Sequence, residues 1–487
     1  MTNSPTVRRY IFFLTGPLLF AVVLWILPEN FIAEGAYKVL ALAAWMIVWW
    51  ISEAVPIPVT ALLPLVLYPL LGVMNMKSAS APYANPIIFL FLGGFIIAVA
   101  LEKHRLHERI ALNLIRITGT SGNGIIMGFM FATGLISMWI SNTATAMMML
   151  PIAISVIRLL MTRDDMKPHE LPKNERNFAI ALLLMVGYAA TLGGLGTIIG
   201  TPPNTVFVGL VDEFYHQKMD FGKWMLIGVP TAGILLFTTY FIVTRILFPN
   251  NIAQVKGSEE LITTKLAELG PISKEEKRVM IIFGITSFLW IFQQALNSYL
   301  FHKELLNDTN VAMAGGLSLF LMPADFKKGI FLLEWRDTVN IQWGILFLFG
   351  GGLALADGLE RTGIIQTFGK WIADQNEFDA WLIFGLITAT VLLSEIMSNV
   401  ALVQIFVPVV FGIADGMHVN PILLAMPVTL SASIGFMFPI ATPPNAIVFS
   451  SGYMRMKDMV RAGILLDVAS IVIIQIISLT LLMWVYG

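Results

Sequence analysis

The stretch 137–143 reads SMWISNT, and the stretch 394–400 reads SEIMSNV. Both place two serines four residues apart and follow the second serine with asparagine. A glycine-rich run lies upstream of each (LFLGG at 90–94, LFGGG at 348–352), and a Thr-Pro-Pro-Asn run lies downstream of each. One repeated tetrapeptide arises by chance in a chain of this length, but three patterns in the same order do not. The sequence therefore predicts an internal duplication.

The composition places this chain in a membrane. Of 487 residues, 57% are hydrophobic and 13% are charged, whereas a soluble domain has about 25% charged residues. The absence of cysteine excludes disulfides, thiolate metal sites and cysteine nucleophiles. A net charge of −1 provides no basic field for nucleic acid. At about 20 apolar residues per span, the length allows about ten to twelve crossings.

Long uncharged stretches surround the repeated motifs. Residues 117–157, 177–211 and 416–454 contain no Lys, Arg, Asp or Glu, and residues 380–414 contain only Glu395. Each stretch is too long for a single span, so each must turn inside or beside the membrane. Such a turn survives only where protein or a water-filled cavity satisfies its backbone polar groups. Internal repeats with broken apolar segments at matching positions are typical of secondary transporters.

The remaining segments set the orientation and the connections. Arg8 and Arg9 precede the apolar run 11–27, which predicts a retained first span with the arginines on the cytoplasmic side. The polar segment 250–278 is predicted to be a linker with helical character between two halves. The polar loop 163–177 is extra in the first half, which explains why the Thr-Pro-Pro-Asn runs lie closer together than the serine motifs.

The serine motifs are typical of helix ends. Ser137 and Ser141 share one helical face, and Ser and Asn favour caps because their side chains bond to nearby backbone groups. We expect the tip of a re-entrant hairpin, with one helix ending near Ser141 and the next beginning near Thr143. The alternative is a polar contact between spanning helices. The duplication favours a binding site.

The Thr-Pro-Pro-Asn motifs predict broken helices. Two prolines remove two donors and obstruct the preceding turn. Carbonyls near Gly200 and Ala441 should therefore lose their partners and suit a dehydrated cation such as Na⁺. A new helix is predicted to begin at Asn204 or Asn445, with its positive end available to an anion. An ordinary proline kink is the alternative.

The motifs contain no Lys, Arg or His, so a bound anion needs co-bound cations. Moving one charge through 100 mV involves about 2.3 kcal/mol, so a dianion entering a negative-inside cell costs about 4.6 kcal/mol. Two Na⁺ ions cancel that electrical cost, and a third makes uptake favourable. We expect the two serine motifs to build two Na⁺ sites; the sequence does not reveal a third.

These residues resemble the divalent anion–sodium symporter family, which carries dicarboxylates, citrate or sulfate. The resemblance rests on Ser141-Asn142-Thr143, on the run SEAVPIPVTALLP at 52–64 and on both Thr-Pro-Pro-Asn motifs. It implies an all-α polytopic membrane protein with about 11 transmembrane helices, two re-entrant hairpins and inverted repeats. It also implies a homodimer in which a transport part of each subunit moves like an elevator against a fixed scaffold. The expected parts are 1–116 (scaffold), 117–215 (first transport half), 216–375 (scaffold with the linker 250–278) and 376–487 (second transport half).

The resemblance also implies site residues. The first Na⁺ site would use Ser137, Ser141, Asn142 and the Gly200 carbonyl. The second would use Ser394, Asn399 and the carbonyls of Met397 and Ala441. The substrate would meet Asn142, Thr143, Ser398, Asn399, Val400, Thr201, Pro202, Thr442 and Pro443. The family often has threonine where this chain has Val400, which cannot donate a hydrogen bond, so one substrate contact is lost or replaced.

Four acidic residues in or near apolar segments are further candidates: Glu395, which follows Ser394 directly, and Glu53, Asp357 and Asp467. We expect the last three near span ends or paired with a neighbour. The six histidines show no metal-binding spacing, and no P-loop is present.

The predicted function is Na⁺-coupled symport of a C4-dicarboxylate such as succinate, malate or fumarate into a cell, across a bacterial plasma membrane. The expected partners are the dianion, membrane lipid and a second copy of the chain, with no nucleic acid. Sulfate uptake or dicarboxylate exchange without net Na⁺ coupling is the alternative within transport. An intramembrane enzyme would need an activated nucleophile, paired carboxylates or a metal cluster in the apolar segments, and the serines have no His or Lys nearby.

Overall fold

The computed structural model describes residues 5–28, 31–160, 172–325, 327, 329–373 and 379–487. Most of the predicted loop 163–177 and the expected boundary at 375/376 lie outside these ranges. The regular secondary structure of the described chain is helical apart from one small antiparallel pair of strands, β1 (Pro323–Asp325) and β2 (Ile330–Phe331).

The first half of the chain contains twelve α-helices within the described residues. They are α1 (Pro5–Ile26), α2 (Ala36–Ser52), α3 (Ile57–Thr60), α4 (Leu63–Leu70), α5 (Met76–Ser80), α6 (Pro86–Lys103), α7 (Leu106–Ile117), α8 (Gly122–Ser137), α9 (Asn142–Arg158), α10 (Lys173–Gly194), α11 (Pro202–Tyr215) and α12 (Phe221–Phe241).

The second half continues with eleven more in the same described ranges. They are α13 (Ser258–Glu268), α14 (Lys274–Ala295), α15 (Asp308–Leu321), α16 (Trp343–Arg361), α17 (Ile364–Ala373), α18 (Ala380–Ser394), α19 (Asn399–Gly416), α20 (Pro421–Ala432), α21 (Pro443–Ser450), α22 (Met456–Ile477) and α23 (Met483–Tyr486). The segment 250–278, predicted as a linker with helical character, contains α13 and the start of α14.

Helix length distinguishes most spanning helices from three of the four helices at the serine motifs. Among the described residues, eight helices are long and apolar enough to cross a membrane. Three of the four helices at the serine motifs are shorter, with 16 and 17 residues for α8 and α9 and 15 for α18, against about 20 for a single crossing. The fourth, α19, has 18 residues and is one of the eight. The protein is therefore a polytopic α-helical membrane protein whose motif-bearing helices are interrupted, as the uncharged stretches predicted.

The order of elements repeats along the chain. A glycine-rich helix (α6, α16) is followed by a shorter one (α7, α17), a helix pair joined at the serine motif (α8–α9, α18–α19), a helix pair joined at the Thr-Pro-Pro-Asn motif (α10–α11, α20–α21) and a long apolar helix (α12, α22). This order is what the three repeated sequence patterns predict for a duplicated chain.

The two halves meet around α10. All residues of its most apolar 18-residue stretch are buried, whereas 6% of the corresponding stretch of α1 is buried. Helix α10 packs against α8, α9 and α12 of its own half and against α21 of the other half. Gly187 of α10 lies against the carbonyl of Pro444 and the side chain of Val448, an approach that a larger residue would obstruct. The motif-bearing helices thus form the core, and peripheral helices such as α1, α14 and α22 present apolar side chains outward.

Candidate ion and substrate site at the broken helices

Each serine motif lies at a break between two helices. In the first half, α8 ends at Ser137 and α9 begins at Asn142, with Ser141 as its N-cap; the Ser141 hydroxyl accepts from the N–H of Ala144. The first helix of the pair therefore ends four residues earlier than predicted, because Ser141 caps the following helix rather than closing the preceding one. In the second half, α18 ends at Ser394 and α19 begins at Asn399.

Oxygen atoms converge at the first break. The Ser137 hydroxyl lies 2.7 Å from Asn142 Oδ1 and 2.5 Å from the Ala190 carbonyl. One hydroxyl proton can serve only one of these acceptors. The alternative orientation of the Asn142 amide donates to Ala190 O at 3.0 Å, to Ser137 Oγ at 2.7 Å and to Gly200 O at 3.2 Å. With the amide nitrogen pointing inward, the cluster is held by N–H donors. With the amide oxygen pointing inward, four neutral oxygens surround the same place, and such a place suits a cation.

Ser141 has different neighbours. Its hydroxyl accepts from Nε2 of Gln342, which precedes α16, at 3.1 Å, in addition to the cap bond. The structure thus brings Ser137, Asn142 and Gly200 together, and it connects Ser141 to the start of a glycine-rich helix of the other half. A role for Ser141 as a Na⁺ ligand stays a prediction.

The second break has related chemistry. The Ser394 hydroxyl contacts the carbonyls of Val391, at 2.8 Å, and of Ile434. Gly435 lies against both Ser394 and Ala441, so the end of α18 and the segment before α21 are in contact. Oδ1 of Asn399 is buried and has no hydrogen-bond partner among the described residues. An unsatisfied buried amide oxygen is suited to a donor or a cation.

The Thr-Pro-Pro-Asn motifs begin helices two residues earlier than predicted. Helix α11 starts at Pro202 and α21 at Pro443, so the predicted starts at Asn204 and Asn445 were wrong. Proline is favourable in the first helical turn because the N–H it lacks is unpaired there anyway. Thr201 and Thr442 are extended cap residues, and the Thr442 hydroxyl accepts from the N–H of Asn445 at 3.4 Å.

The asparagine of each motif has a role that the sequence analysis missed. Nδ2 of Asn204 donates to the carbonyls of Gly194 and Thr197, at 3.0 and 2.8 Å. Nδ2 of Asn445 donates to the carbonyls of Gly435 and Phe438, at 2.9 and 3.2 Å. The carbonyls freed by each helix break are thus partly paired by the motif itself. The recurrence of asparagine at the fourth motif position was the available signal.

The residues predicted to contact substrate lie at the starts of four helices. Asn142 and Thr143 begin α9, and Ser398, Asn399 and Val400 lie at the start of α19; all five are half-buried. At the other two starts, Thr201 and Thr442 are buried, Pro202 is half-buried and Pro443 is exposed. Helix α9 packs against α21, and α11 packs against α19 and α20, so elements of both halves meet at the breaks.

The four acidic candidates have distinct environments. Asp357 pairs with Arg361 at 2.6 Å, as expected of a residue near the end of a span. Glu53 follows α2 in a left-handed conformation. Glu395 is 1% exposed, and its carboxylate accepts from three consecutive backbone N–H groups, those of residues 436–438. Asp467 of α22 is 5% exposed and faces Glu395.

Comparison with curated proteins gives named relatives along nearly the whole chain. A protein of Staphylococcus saprophyticus named sodium-dependent dicarboxylate transporter SdcS is 40% identical over 480 residues, covering 98% of this chain and 92% of its own length. A protein of the same name from Staphylococcus aureus is 38% identical over 465 residues, covering 95% and 89%.

Comparison with solved structures gives more distant likenesses. MtrF of Neisseria gonorrhoeae, described among antimetabolite efflux pumps, aligns with a TM-score of 0.56 at 13% identity over 84% of both chains. The Alcanivorax borkumensis YdaH transporter aligns with a TM-score of 0.58 at 12% identity over 97% of both chains. At these identities the likeness shows the fold alone.

The sequence profile of the family described as "Sodium:sulfate symporter transmembrane region" matches residues 10–486. The profile covers both serine motifs and both Thr-Pro-Pro-Asn motifs. The chain therefore belongs to the sodium:sulfate symporter family, the divalent anion–sodium symporters that its motifs resemble.

Proposed function

We propose that this protein carries a C4-dicarboxylate into the cell together with Na⁺, at a site formed where the broken helices of its two halves meet. The observation that carries the proposal is the cluster of neutral oxygens around Ser137, Asn142, Ala190 and Gly200. Hard monovalent cations favour such oxygens. The relatives named as sodium-dependent dicarboxylate transporters support both Na⁺ and the substrate class, and they make the protein a transporter rather than an enzyme.

Two Na⁺ ions occupy the two serine motifs in this proposal. Ser137, Ser141, Asn142 and the Gly200 carbonyl hold the first, and Ser394, Asn399 and the carbonyls of Met397 and Ala441 hold the second. The dianion meets the starts of α9 and α19 and the starts of α11 and α21, where free N–H groups and the bound cations offset its charge. Val400 places a methyl group where a hydroxyl would donate, so the remaining donors set the preference among dianions.

The proposed assembly is a homodimer in a bacterial plasma membrane. Segments 117–215 and 376–487 form the mobile transport part, and segments 1–116 and 216–375 form the scaffold, with about 11 spans and two re-entrant hairpins in each subunit. The bond from Gln342 to Ser141 then crosses between scaffold and transport part, so elevator motion must break it.

Uptake by the purified protein in proteoliposomes tests the function. Labelled succinate should accumulate with an inward Na⁺ gradient and not with an equal K⁺ gradient, and malate and fumarate should compete more strongly than sulfate. Ser137→Ala should raise the Na⁺ concentration for half-maximal uptake about tenfold, since one ligand or charge-assisted hydrogen bond contributes about 1.5 kcal/mol. Ser155→Ala is the matched control, because among the described residues that hydroxyl bonds back to Pro151 O on an exposed part of α9. Uptake that is indifferent to Na⁺ contradicts the proposal, and strong competition by sulfate favours the sulfate carrier instead.

A further inference from the structure

A pair of buried carboxyl groups lies directly behind the second serine motif. Glu395 is the residue after Ser394, and Asp467 comes from α22; they are 1% and 5% exposed, and their carboxyl groups face each other. Residues 380–414 and 416–454 contain no Lys or Arg, and Arg461, the basic residue of α22 closest in sequence to Asp467, is exposed. Two carboxylates at membrane depth without a basic partner are costly, and such residues are functional candidates by default.

The two carboxyl groups are not equally satisfied. Glu395 accepts from the N–H groups of Phe436, Met437 and Phe438, at 2.6, 3.0 and 3.2 Å. These three donors stabilise it as an anion. The carboxyl group of Asp467 lies within reach of the Glu395 carboxyl group and of the Phe436 N–H, but neither of its oxygens forms a well-aligned hydrogen bond with a described residue. A buried carboxyl group that faces an anion and lacks a well-aligned hydrogen bond is an arrangement that a cation between the two groups would complete.

Close packing fixes the position of Asp467. A Cβ at Gly463 would lie 2.4 Å from both N and Cα of Met437, so α22 touches the backbone of the segment before α21. Asp467 follows Gly463 by one helical turn and lies on the same face. Tyr188 of α10 closes another side, with its hydroxyl donating to Phe436 O at 3.0 Å. The ionisable groups at this place are therefore Glu395, Asp467 and Tyr188.

The first half has the same packing without the charges. Gly228 of α12 lies against the carbonyls of Leu195 and Gly196, as Gly463 lies against residues 436–437. The position that corresponds to Glu395 in the first motif is Met138. Ala232 follows Gly228 by four residues, where Asp467 follows Gly463. The first half packs in the same way without carboxylates, so the fold does not require Glu395 and Asp467 at this place. The pair therefore has a role that is specific to the second half.

We propose that Glu395 and Asp467 bind a third Na⁺ ion. The proposal rests on the Na⁺-coupled function above and supplies the ion that makes uptake of a dianion electrically favourable. The segment 434–441 connects this site to the second one, since residues 436–438 hold Glu395 and the carbonyl of Ala441 belongs to the second site. Occupation of one site therefore orders the backbone of the other.

The net charge moved in each transport cycle tests the third site. Fixed charges of the protein return to their starting positions in every cycle, so only the carried ions count. With about three Na⁺ per dianion, one positive charge enters, and an imposed potential of 100 mV, negative inside, adds about 2.3 kcal/mol, which is about a 50-fold increase in accumulation. Asp467→Asn, which keeps the shape of the side chain, should lower the ratio to about two Na⁺ and abolish this increase. Asp415→Asn is the matched control, because that carboxylate is exposed near the end of α19 and bonds only to Tyr215 among the described side chains.

Na⁺ binding to the purified protein gives a second measurement that does not need transport. Stabilisation by a ligand grows as RT ln(1 + [Na⁺]/Kd) for each site, so its slope against log [Na⁺] counts bound ions. Asp467→Asn should lower this slope by one third, even if the variant does not transport. The proposal is overturned if Asp467→Asn keeps the wild-type ratio of Na⁺ to dianion and the wild-type slope of stabilisation against log [Na⁺]. It is also overturned if the extra positive charge carried by the wild-type protein depends on a proton gradient instead of Na⁺. Wild-type uptake without any Na⁺ dependence would instead refute the function itself.

Discussion

The amide of Asn445 is expected to control Na⁺ affinity at the second site without touching the ion. Its Nδ2 donates to the carbonyls of Gly435 and Phe438, and both carbonyls lie in the short segment that ends at Ala441. Asn445→Ala removes both hydrogen bonds; the Gly435 carbonyl loses its Asn445 donor, and the Phe438 carbonyl keeps only the N–H of Ala441 among the described donors. Each such bond contributes about 0.5–1.5 kcal/mol, so the ordered segment loses roughly 1–3 kcal/mol. If the loss falls on Na⁺ binding, the affinity decreases about 5- to 150-fold.

Two measurements separate this effect from a general loss of stability. Succinate uptake against Na⁺ concentration gives the half-maximal Na⁺ value, and thermal unfolding with Na⁺ or K⁺ gives the Na⁺-induced shift of the midpoint. Asn445→Ala should raise the half-maximal Na⁺ concentration and reduce the Na⁺-induced shift of the unfolding midpoint. Asn177→Ala is the control, because its amide donates to Pro249 O at the far end of α10; it should lower the midpoint equally in both salts. An Asn445→Ala protein with a wild-type Na⁺ requirement and a wild-type shift would show that the segment does not position the ion site.

Three further outcomes are expected. Val400→Thr should change the ranking of succinate, malate, fumarate and sulfate as competitors more than it changes Na⁺ dependence; an unchanged ranking would place Val400 outside the pocket. Glu276→Gln should lower the unfolding midpoint, because it breaks the 2.7 Å ion pair with Arg109, which is largely buried and whose loss costs about 3–5 kcal/mol. Lys265→Gln, at an exposed pair, should cost less than about 1 kcal/mol. Asn142→Asp should retain Na⁺-induced stabilisation, because it keeps an oxygen for the ion, and should lose succinate binding, because it removes the amide donor; retained succinate uptake would contradict this assignment.

Local chemistry made the helix breaks predictable. Serine, asparagine and consecutive prolines have strong preferences near helix ends, and their recurrence in both halves distinguished breaks from ordinary polar contacts. The same preferences account for the boundary errors. Ser141 caps the following helix, and proline occupies the first helical turn, so α8 ends before the predicted position and α11 and α21 begin before theirs.

Contacts between distant segments were not predictable in the same way. The carbonyl of Ala190 contacts Ser137, and Asp467 faces Glu395, although long stretches of chain separate the members of each pair. The sequence marked Glu395 and Asp467 as separate candidates. Only the close approach of α22 at Gly463 brings them together. An alignment of the two halves offers a partial signal, since Met138 and Ala232 occupy the corresponding places in the first half.

The two orientations of Asn142 suggest how Na⁺ and substrate binding are linked. With Nδ2 inward, the two amide N–H groups lie within reach of three acceptors, Ser137 Oγ and the carbonyls of Ala190 and Gly200, and the amide oxygen faces away from the cluster. A cation reverses this preference, because it repels the N–H groups and attracts Oδ1. The amide N–H groups then point out of the ion cluster, where the start of α9 already offers free donors to an anion. In the proposed site, Na⁺ binding thus exposes a donor for a carboxylate, and by thermodynamic reciprocity the bound carboxylate strengthens Na⁺ binding equally. A neutral side chain that can present either end couples the two ligands at lower cost than a fixed basic residue, which would repel the cation permanently.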